Sequence, residues 1–433
     1  MRSYRDTVDY IANLRGGEID LKLDRVRQAL VLFDNPQNRY LSFHVAGTNG
    51  KGSTAAIVHQ ILSCQGYRTG LYTSPHLVSF TERIRVGDEE ISADEVIELA
   101  ALVQRRLEGQ GLQLTFFEFV TVMGLVYFAE KKIAAAVVEV GLGGRLDATN
   151  VVLPVVSLIT TISRDHEAYL GNDLLSIARE KGGIIKQGVP VVCGRLSAAV
   201  RALYQEFAAT RRAPAYFFAE HFGVAVKDEK RFDYHGRAWS FKDLQLALPG
   251  SFQRNNAAVA LAALEVGGQY FPVAEAAVRK GLESVVWPAR METVRQQPQV
   301  ILDGAHNDEG TMTLVAEIEG LRKNRRIRLL FGALQDKDWR LMLEHLCALA
   351  HEVVLTRVPA ARGVEPAVLA GAIPAEIPCH VIENPCQALE FLLRRAGRDD
   401  LILVTGSLYL MGEVRPFFTR EKNVELPLAD TRV

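Results

Sequence analysis

The sequence predicts an α/β protein of two units, each built on a parallel sheet that helices cover. Short apolar runs of strand length alternate with helical segments along the chain, which is the pattern of parallel sheets with helical crossovers. The chain has 433 residues, and chains of that size usually divide into domains. Because the alternation ends near Trp287 and restarts after Pro288, we expect one unit over 1–287 and a second over 288–433.

The first unit is expected to begin with a helical stretch that ends at Pro36. The apolar runs after it predict strands at 41–46, 69–72, 135–140, 155–160 and 189–193. Helices are expected at 53–64, 93–107, 116–131, 174–181 and 255–267. Short alternating runs over 215–248 predict a β-hairpin excursion.

The second unit repeats the alternation on a smaller scale. Its apolar runs predict strands at 300–302, 328–331, 352–355 and 401–404. Helices are expected at 311–321, 341–348 and 388–395, and residues 420–433 are expected to form a loose tail.

The composition argues against several classes of protein. Lys and Arg number 50 against 51 Asp and Glu, for a net charge of -1, whereas nucleic-acid and polybasic membrane binders carry excess positive charge. The five cysteines are scattered without a CxxC pair, which argues against zinc or disulfide frameworks. No secretory signal is visible, and the apolar stretches are too short to span a bilayer. We expect a cytoplasmic protein with no nucleic-acid or membrane partner.

The strongest local signal is a glycine-rich loop, GTNGKGST (47–54), between a buried strand and a helix. Small residues let backbone N–H groups close around phosphate oxygens, and the helix N-terminus adds a positive dipole. The loop departs from the pattern GxxxxGK[ST], because a glycine follows the lysine. A plain glycine turn is the alternative. We expect nucleotide contacts from Thr48, Asn49, Gly50, Lys51, Gly52 and Ser53.

Further sequence blocks follow this loop in a fixed order. They are TSPHL (73–77), ERIRV (82–86), EVGLGGRLDATN (139–150), DHEAYLG (165–171), REKGGI (179–184), NNAAVAL (255–261), WPARME (287–292), DGAHN (303–307) and DKD (336–338). Together with the loop they resemble the Mur ligase superfamily and, within it, the folylpolyglutamate synthase/dihydrofolate synthase family. The resemblance implies a P-loop, parallel-sheet ATP-binding domain like the Mur ligase central domain. A smaller Rossmann-like α/β C-terminal domain would follow it.

The resemblance also implies ATP and two Mg²⁺ ions as cofactors. Glu139 closes a predicted strand beside the loop, where a carboxylate is well placed for Mg²⁺, and the resemblance makes it a metal ligand. Ser74 and His166 are implied as further ligands. The alternatives are a helix cap or a surface pair for Glu139, a turn for Ser74 and a structural hydrogen bond for His166.

Four residues are implied in catalysis: Lys51, His166, Lys181 and His306. An unmodified lysine would repel Mg²⁺, and carbamylation of Lys181 by CO₂, which the resemblance implies, would replace its charge with an oxygen anion. The alternative is a plain lysine that pairs with phosphate or with Glu180.

Nucleotide contacts are implied for Asn256, Arg290 and Asp303. The guanidinium of Arg290 matches phosphate oxygens. Asp303 suits the ribose hydroxyls, and a helix N-cap is its alternative role.

The acceptor substrate is assigned to blocks that resemble pterin-contacting segments of the family. The expected residues are Asp20, Leu21, Lys22, Thr115, Phe116, Phe117, Glu118, Arg145 and Leu146. Phe116 and Phe117 would stack on a flat heterocycle, or they belong to the helix core. Lys22 replaces the usual glycine, and Arg164 precedes Asp165 where an apolar residue is usual, so both depart from the family pattern.

The resemblance implies a monomeric ATP-dependent ligase that joins L-glutamate to dihydropteroate, to a reduced folate, or to both. The acceptor carboxylate would be activated as an acyl phosphate, which needs charge neutralisation of two anions. Two alternatives stay open at this point. One is a cell-wall ligase that acts on a nucleotide-linked sugar peptide, and the other is a P-loop regulatory NTPase.

Overall fold

The structure is a computed structural model that describes residues 3–14, 22–228, 230–322 and 325–419. The chain divides into two compact units. The first comprises the described parts of Met1–Ser163 and Glu167–Trp287, and the second comprises Arg164–His166 and the described part of Pro288–Val433. Within the described ranges, no helix is both long and apolar enough to cross a membrane. The tail expected at 420–433 lies outside these ranges.

The main sheet of the first unit has eight strands among the described residues, in the order β4-β3-β2-β5-β1-β6-β7-β8. Their bounds are β1 Leu41–Ala46, β2 Thr69–Tyr72, β3 Ile84–Val86, β4 Glu89–Glu90, β5 Ala135–Glu139, β6 Val156–Ile159, β7 Val191–Cys193 and β8 Ala215–Phe217. The pairs from β2 to β8 are parallel, and β3 and β4 add an antiparallel edge. The predicted parallel sheet is therefore a mixed one.

Helices cover both faces of this sheet. They are α1 Tyr4–Ala12, α2 Asp24–Val31, α3 Lys51–Gln65, α4 Ala93–Leu107, α5 Phe116–Glu130, α6 Glu167–Leu170, α7 Leu174–Lys181, α8 Ala198–Thr210, α9 Gln253–Val266 and α10 Glu275–Ser284. Alternate residues of β5 enter two separate cores, because side chains of a strand point to opposite faces. Ala135 and Val137 pack in the core that includes α3 and α9, whereas Ala136 and Val138 pack with α4 and α5.

The predicted hairpin over 215–248 is wrong in its extent. Its first strand is β8 of the main sheet, and the rest forms a separate antiparallel sheet of β9 Gly223–Val226, β10 Arg231–His235 and β11 Ser240–Gln245. Glu265 on α9 holds this small sheet by accepting hydrogen bonds from Tyr234 Oη (3.0 Å), Trp239 N (3.0 Å) and Ala238 N. Pattern reasoning assigned β8 to the hairpin because strand pairing over long distance leaves no local signal.

The second unit contains one six-stranded sheet among its described residues, in the order β12-β13-β17-β14-β15-β16. Its strands are β12 Glu292–Gln296, β13 Gln299–Leu302, β14 Ile327–Phe331, β15 Glu352–Leu355, β16 Cys379–Val381 and β17 Leu401–Thr405. Its helices are α11 Asp308–Leu321, α12 Trp339–Cys347, α13 Pro366–Ala370, α14 Pro385–Arg395 and α15 Leu408–Thr419. Only β12 is antiparallel to its neighbour among these strand pairs.

The strand order of the main sheet determines where a ligand can bind. After β1 the chain crosses to β2 on the β5 side, whereas β6 lies on the other side of β1. Such a reversal opens a crevice at the carboxyl ends of the strands. The glycine-rich loop that follows β1 lies at this point.

Glu265→Gln is expected to lower the free energy of unfolding by about 1–2 kcal/mol, because the new amide nitrogen cannot accept a hydrogen bond. Urea unfolding of this variant and of Glu283→Gln, a matched change of an exposed residue on α10, measures the difference. Equal stability of the two variants would contradict the role of Glu265.

Candidate active site

The glycine-rich loop is locked by close packing at Gly47. This residue has a φ of +147°, and a Cβ atom there would collide with the hydroxyl of Thr160. The hydroxyl of Thr48 donates to Ser163 O (3.1 Å) and accepts from Ser163 N (3.0 Å). These contacts hold the loop against the segment 160–163, and the first turn of α3 follows the loop directly. Backbone N–H groups at such a helix start bind phosphate oxygens.

Two lysines converge on the carbonyl oxygen of Gly47. Lys51 Nζ donates to Gly47 O (3.2 Å) and to Thr48 O (3.0 Å). Lys181, at the end of α7, is buried and donates to the same Gly47 oxygen at 2.9 Å. Two of the four residues that the sequence implied in catalysis thus lie at the entrance to the loop.

Glu139 lies on the strand next to the loop, because β5 pairs with β1 and Glu139 is the register partner of Val45. Its side chain is buried, and Oε2 accepts from the backbone N–H of Ser74 at 3.2 Å. The two predicted metal ligands of the first unit are therefore adjacent. Carboxylate and hydroxyl oxygens are the hard donors that Mg²⁺ takes, together with waters and substrate phosphates.

The described residues contain no group of three or more His, Cys, Asp or Glu side chains arranged to hold a metal ion. Magnesium usually needs only one or two protein carboxylates when phosphates complete its shell, so Glu139 with Ser74 fits such an ion. The predicted ligand His166 is counted with the second unit.

The start of α9 packs against the phosphate loop. Asn256 Oδ1 lies so close to Gly50 that an added Cβ atom would collide with it. Asn256 Nδ2 donates to Gln253 Oε1 (2.9 Å), and Gln253 Nε2 donates to Ser53 Oγ (3.3 Å). Asn256 was predicted in the site from the block NNAAVAL (255–261), whereas Gln253 lies two residues before that block on the same helix and was not predicted.

The residues expected to bind the pterin have structural contacts of their own. Thr115 and Glu118 form the capping box of α5. The Glu118 carboxylate also pairs with Arg25, whose Nη2 lies 2.7 Å from Oε1. Phe116 lies under the guanidinium of Arg83, 5.1 Å from the ring centroid, and both Phe116 and Phe117 are partly buried beside the core.

The remaining acceptor residues lie at the surface or beyond the described ranges. Arg145 pairs with Glu180 at 2.8 Å and is mostly exposed. Leu146 is half-buried and Lys22 is exposed. Asp20 and Leu21 lie outside the described residues.

The second unit has its own cluster of charged groups, organised by the buried carboxylate of Asp165. Lys337 Nζ lies 2.5 Å from Asp165 Oδ1, and Asn307 Nδ2 donates to Oδ2 at 3.2 Å. The ring nitrogens Nε2 of His166 and His306 lie 3.8 Å from the same carboxylate. Burial raises the pKa of Asp165. The nearby Lys337, His306 and His166 lower it by more, so the pKa lies well below its usual range.

His166 has a φ of +53°, a left-handed conformation that costs energy in a non-glycine residue. Its backbone N–H donates to Asp165 Oδ1 at 2.8 Å, which holds that conformation. Such strain is often found at functional sites.

The imidazole of His306 is held neutral. Burial, with Lys337 as a second cause, lowers its pKa to about 4, although Asp165 acts in the opposite direction. Its Nδ1 lies 2.8 Å from Gly304 O, and a carbonyl only accepts, so Nδ1 carries the proton. Nε2 is then a hydrogen-bond acceptor.

Arg290 lies in a strained turn that Asp303 stabilises. Ala289 and Met291, on either side of it, have φ values of +53° and +50°. Asp303 accepts hydrogen bonds from Met291 N and Ala305 N, both at 2.8 Å, and burial raises the pKa of its carboxyl. The N-cap of α11 is Asn307, so Asp303 does not have the alternative role of a helix cap.

Lys337 lies in the block DKD (336–338) but was not predicted as a site residue. Only 6% of the Lys337 side chain is exposed, and its partner Asp165 lies 172 residues away in the sequence. A lysine between two aspartates looks like a solvated charge run, and only the folded chain shows that it is withdrawn from water.

Comparisons with known proteins give consistent matches. Residues 45–264 match the family described as Mur ligase middle domain, and residues 289–408 match Mur ligase, glutamate ligase domain. A dihydrofolate synthase/folylpolyglutamate synthase of Bacillus subtilis is 34% identical over 95% of this chain and 98% of its own.

Solved structures are similar over nearly the whole chain. FolC of Escherichia coli in complex with DHPP and ADP has a TM-score of 0.88 at 31% identity, with 98% of this chain and 99% of that chain covered. A folylpolyglutamate synthase (FPGS) in complex with AMPPCP and folate has a TM-score of 0.85 at 33% identity, with 96% and 99% covered.

His306→Gln is expected to reduce the acid sensitivity of the fold. A histidine whose folded pKa is lowered stabilises the fold above its unfolded pKa of about 6.5, and this contribution is lost as the pH falls toward the folded value. Between pH 7 and 5 the free energy of unfolding of the wild type should fall by about 2 kcal/mol more than that of the variant. Urea unfolding at several pH values measures this difference. If the free energy of unfolding changed with pH in the same way in both proteins, His306 would not have a lowered pKa.

Proposed function

The chain belongs to the Mur ligase family, in its dihydrofolate synthase/folylpolyglutamate synthase group, and on this premise we propose that it joins L-glutamate to a pterin-linked acid. The reaction is ATP-dependent ligation through a C–N bond, with ADP and phosphate as products. The acceptor is dihydropteroate, a reduced folate, or both in turn.

One observation carries this proposal: two lysines and a carboxylate lie at the carboxyl edge of the sheet beside a helix N-terminus. Lys51 and Lys181 meet at Gly47 O, and Glu139 lies on the adjacent strand. The positive charge of Lys51 with backbone donors suits a triphosphate, whereas the Glu139 carboxylate beside it suits the metal that accompanies the nucleotide. A regulatory NTPase would share these features, but the family match covers the ligase domain as well.

The proposed chemistry has two steps. The acceptor carboxylate attacks the γ-phosphorus of ATP, the bond to the β-phosphate oxygen breaks, and an acyl phosphate and ADP form. The neutral amine of L-glutamate then attacks the acyl carbon, inorganic phosphate leaves, and the nitrogen loses a proton to give the amide. Because both steps bring anions together, positive groups of the protein stabilise them.

In this proposal, Glu139 and Ser74 would hold one Mg²⁺ and His166 would be a ligand of a second. Magnesium, when bound, supplies neutralisation of the phosphate charge. Carbamylation of Lys181 is part of the proposal: its amine would add to CO₂, a proton would leave, and the carbamate oxygens would serve as anionic ligands. The burial of Lys181 at the loop supports a role there.

The cluster on the second unit suits L-glutamate, which carries two carboxylates and an amine. Lys337 offers a buried ammonium for a carboxylate, since Asp165 holds it in position at 2.5 Å. Nε2 of the neutral His306 can accept a hydrogen bond from the amine. With a pKa of about 4, His306 is a weak base, so it orients the amine rather than deprotonating it.

The nucleotide is proposed to contact Asn256, Arg290 and Asp303 in addition to the loop. The acceptor is assigned to Phe116, Phe117 and the neighbouring residues of the family blocks. Arg145 and Lys22 are exposed cations that suit the carboxylates of the acceptor. A cytoplasmic location and a monomeric state complete the proposal, and five free cysteines suit a reducing compartment.

Glu139→Gln is expected to lower turnover by roughly 10²–10³-fold while the protein stays folded, because the amide removes the charge that suits Mg²⁺. Steady-state phosphate release and circular dichroism measure the two effects. Glu130→Gln, the same change at the end of α5, is the control and should keep full activity. An active Glu139→Gln enzyme would remove this residue from the mechanism.

Incubation with ATP, Mg²⁺ and labelled L-glutamate is expected to give a glutamylated product with dihydropteroate, tetrahydrofolate or both. Mass spectrometry of parallel reactions identifies the acceptor. Phosphate release without any amino-acid dependence would support a regulatory NTPase. Turnover only with a muramyl substrate would support a cell-wall ligase.

A further inference from the structure

Gln253 is the first residue of α9 and is fully buried, with 0% of its surface exposed. We propose that Gln253 is a positioning residue that sets the direction of the Ser53 hydroxyl in the phosphate loop. The inference rests on the proposed function in one respect, because Ser53 must belong to a nucleotide site. It adds a residue outside the glycine-rich loop that controls how the loop presents its hydroxyl.

The burial of Gln253 makes its hydrogen bonds obligatory. A side-chain amide without access to water has to satisfy its donor and acceptor groups inside the protein. Nε2 donates to Ser53 Oγ at 3.3 Å, and Oε1 accepts from Asn256 Nδ2 at 2.9 Å. Ser53 and Asn256 are themselves buried, with 2% and 7% exposed, so water does not compete for these bonds.

The order of these bonds fixes a direction. Because Asn256 donates to the carbonyl oxygen of Gln253, the amide nitrogen is the end that faces Ser53. The Ser53 oxygen therefore accepts, and its own hydrogen and second lone pair point elsewhere. A hydroxyl in that state can donate to a phosphate oxygen or offer its lone pair to a hydrated Mg²⁺.

The same helix contacts the loop at a second point. Asn256 Oδ1 packs against Gly50, where an added Cβ atom would collide with it. Gly50 is the N-cap of α3, with a φ of +83°. The pair Asn256 and Gln253 thus supports both the turn that begins α3 and the hydroxyl three residues later.

A purely structural role for Gln253 makes a different prediction from a positioning role. If the amide only fills space and satisfies its neighbours, its loss lowers stability and leaves nucleotide affinity as it was. If it directs Ser53, its loss lowers nucleotide affinity, and the effect depends on the presence of the Ser53 hydroxyl.

The test measures binding of the ATP analogue AMPPCP with Mg²⁺ by calorimetry, which needs neither glutamate nor folate. Gln253→Met keeps the volume and removes both bonds, and we expect affinity about tenfold weaker. Gln253→Glu is nearly isosteric and still accepts from Asn256, but it draws the Ser53 hydrogen toward itself and should weaken affinity at least as much. The KM for L-glutamate should not change in either variant.

Two further proteins separate positioning from stability. Ser53→Ala should weaken AMPPCP binding, and adding Gln253→Met to it should cause no further loss. Glu265→Gln weakens the attachment of the small sheet to the other end of α9 and should leave AMPPCP affinity unchanged.

Three results would overturn the inference. The first is an AMPPCP affinity equal to that of the wild type in Gln253→Met or in Gln253→Glu. The second is a loss of AMPPCP affinity from Gln253→Met that is the same whether residue 53 is Ser or Ala. A matching loss of affinity in Glu265→Gln would assign the effect to a general loss of stability around α9. If wild-type protein failed to bind AMPPCP, the proposed function would fail at its nucleotide step, and this inference would fail with it.

Discussion

The site of the first unit depends on one close approach, that of the Gly47 backbone to Thr160. A Cβ atom at this position would meet the Thr160 side chain, so the loop can lie there only because glycine has none. In that position the Gly47 carbonyl accepts from both Lys51 and Lys181. The positive charge of Lys51 is thereby held in place before a substrate arrives, and groups that need no rearrangement stabilise developing charge most effectively.

The charged cluster of the second unit depends in a comparable way on one buried ion pair, Asp165 with Lys337. The ammonium of Lys337 and the carboxylate of Asp165 are both withdrawn from water, which is tolerable only because each has the other. Burial lowers the pKa of the neighbouring His306 and Lys337 lowers it further, whereas Asp165 acts in the opposite direction. The Asp165 carboxylate thus holds the lysine, and through its bond to the His166 backbone it maintains a strained residue as well.

Much of this architecture could be predicted from the sequence, and the failures have physical causes. The central strands are buried on both faces, so they are continuous apolar runs, and β1, β2 and β15 were predicted with their observed bounds. Elements such as β12 and α13 are short or partly exposed and leave a weak pattern. The glycine-rich loop is a local motif and was recognised, whereas the pairing of Asp165 with Lys337 joins residues that are distant in sequence. The capping box of Thr115 and Glu118 was visible in the sequence as a Thr-x-x-Glu signal, but both residues were assigned to the substrate.

The second unit is discontinuous in sequence, because Arg164–His166 belongs to it although the residues on either side belong to the first unit. A C-terminal fragment that begins at Pro288 would contain every strand of the six-stranded sheet and would still lack Asp165. Lys337 would then be an ammonium without its counter-ion. Cutting this chain at Pro288 therefore does not yield the complete second unit. A gene fusion or domain exchange made at that boundary alone would transfer the unit without residues 164–166.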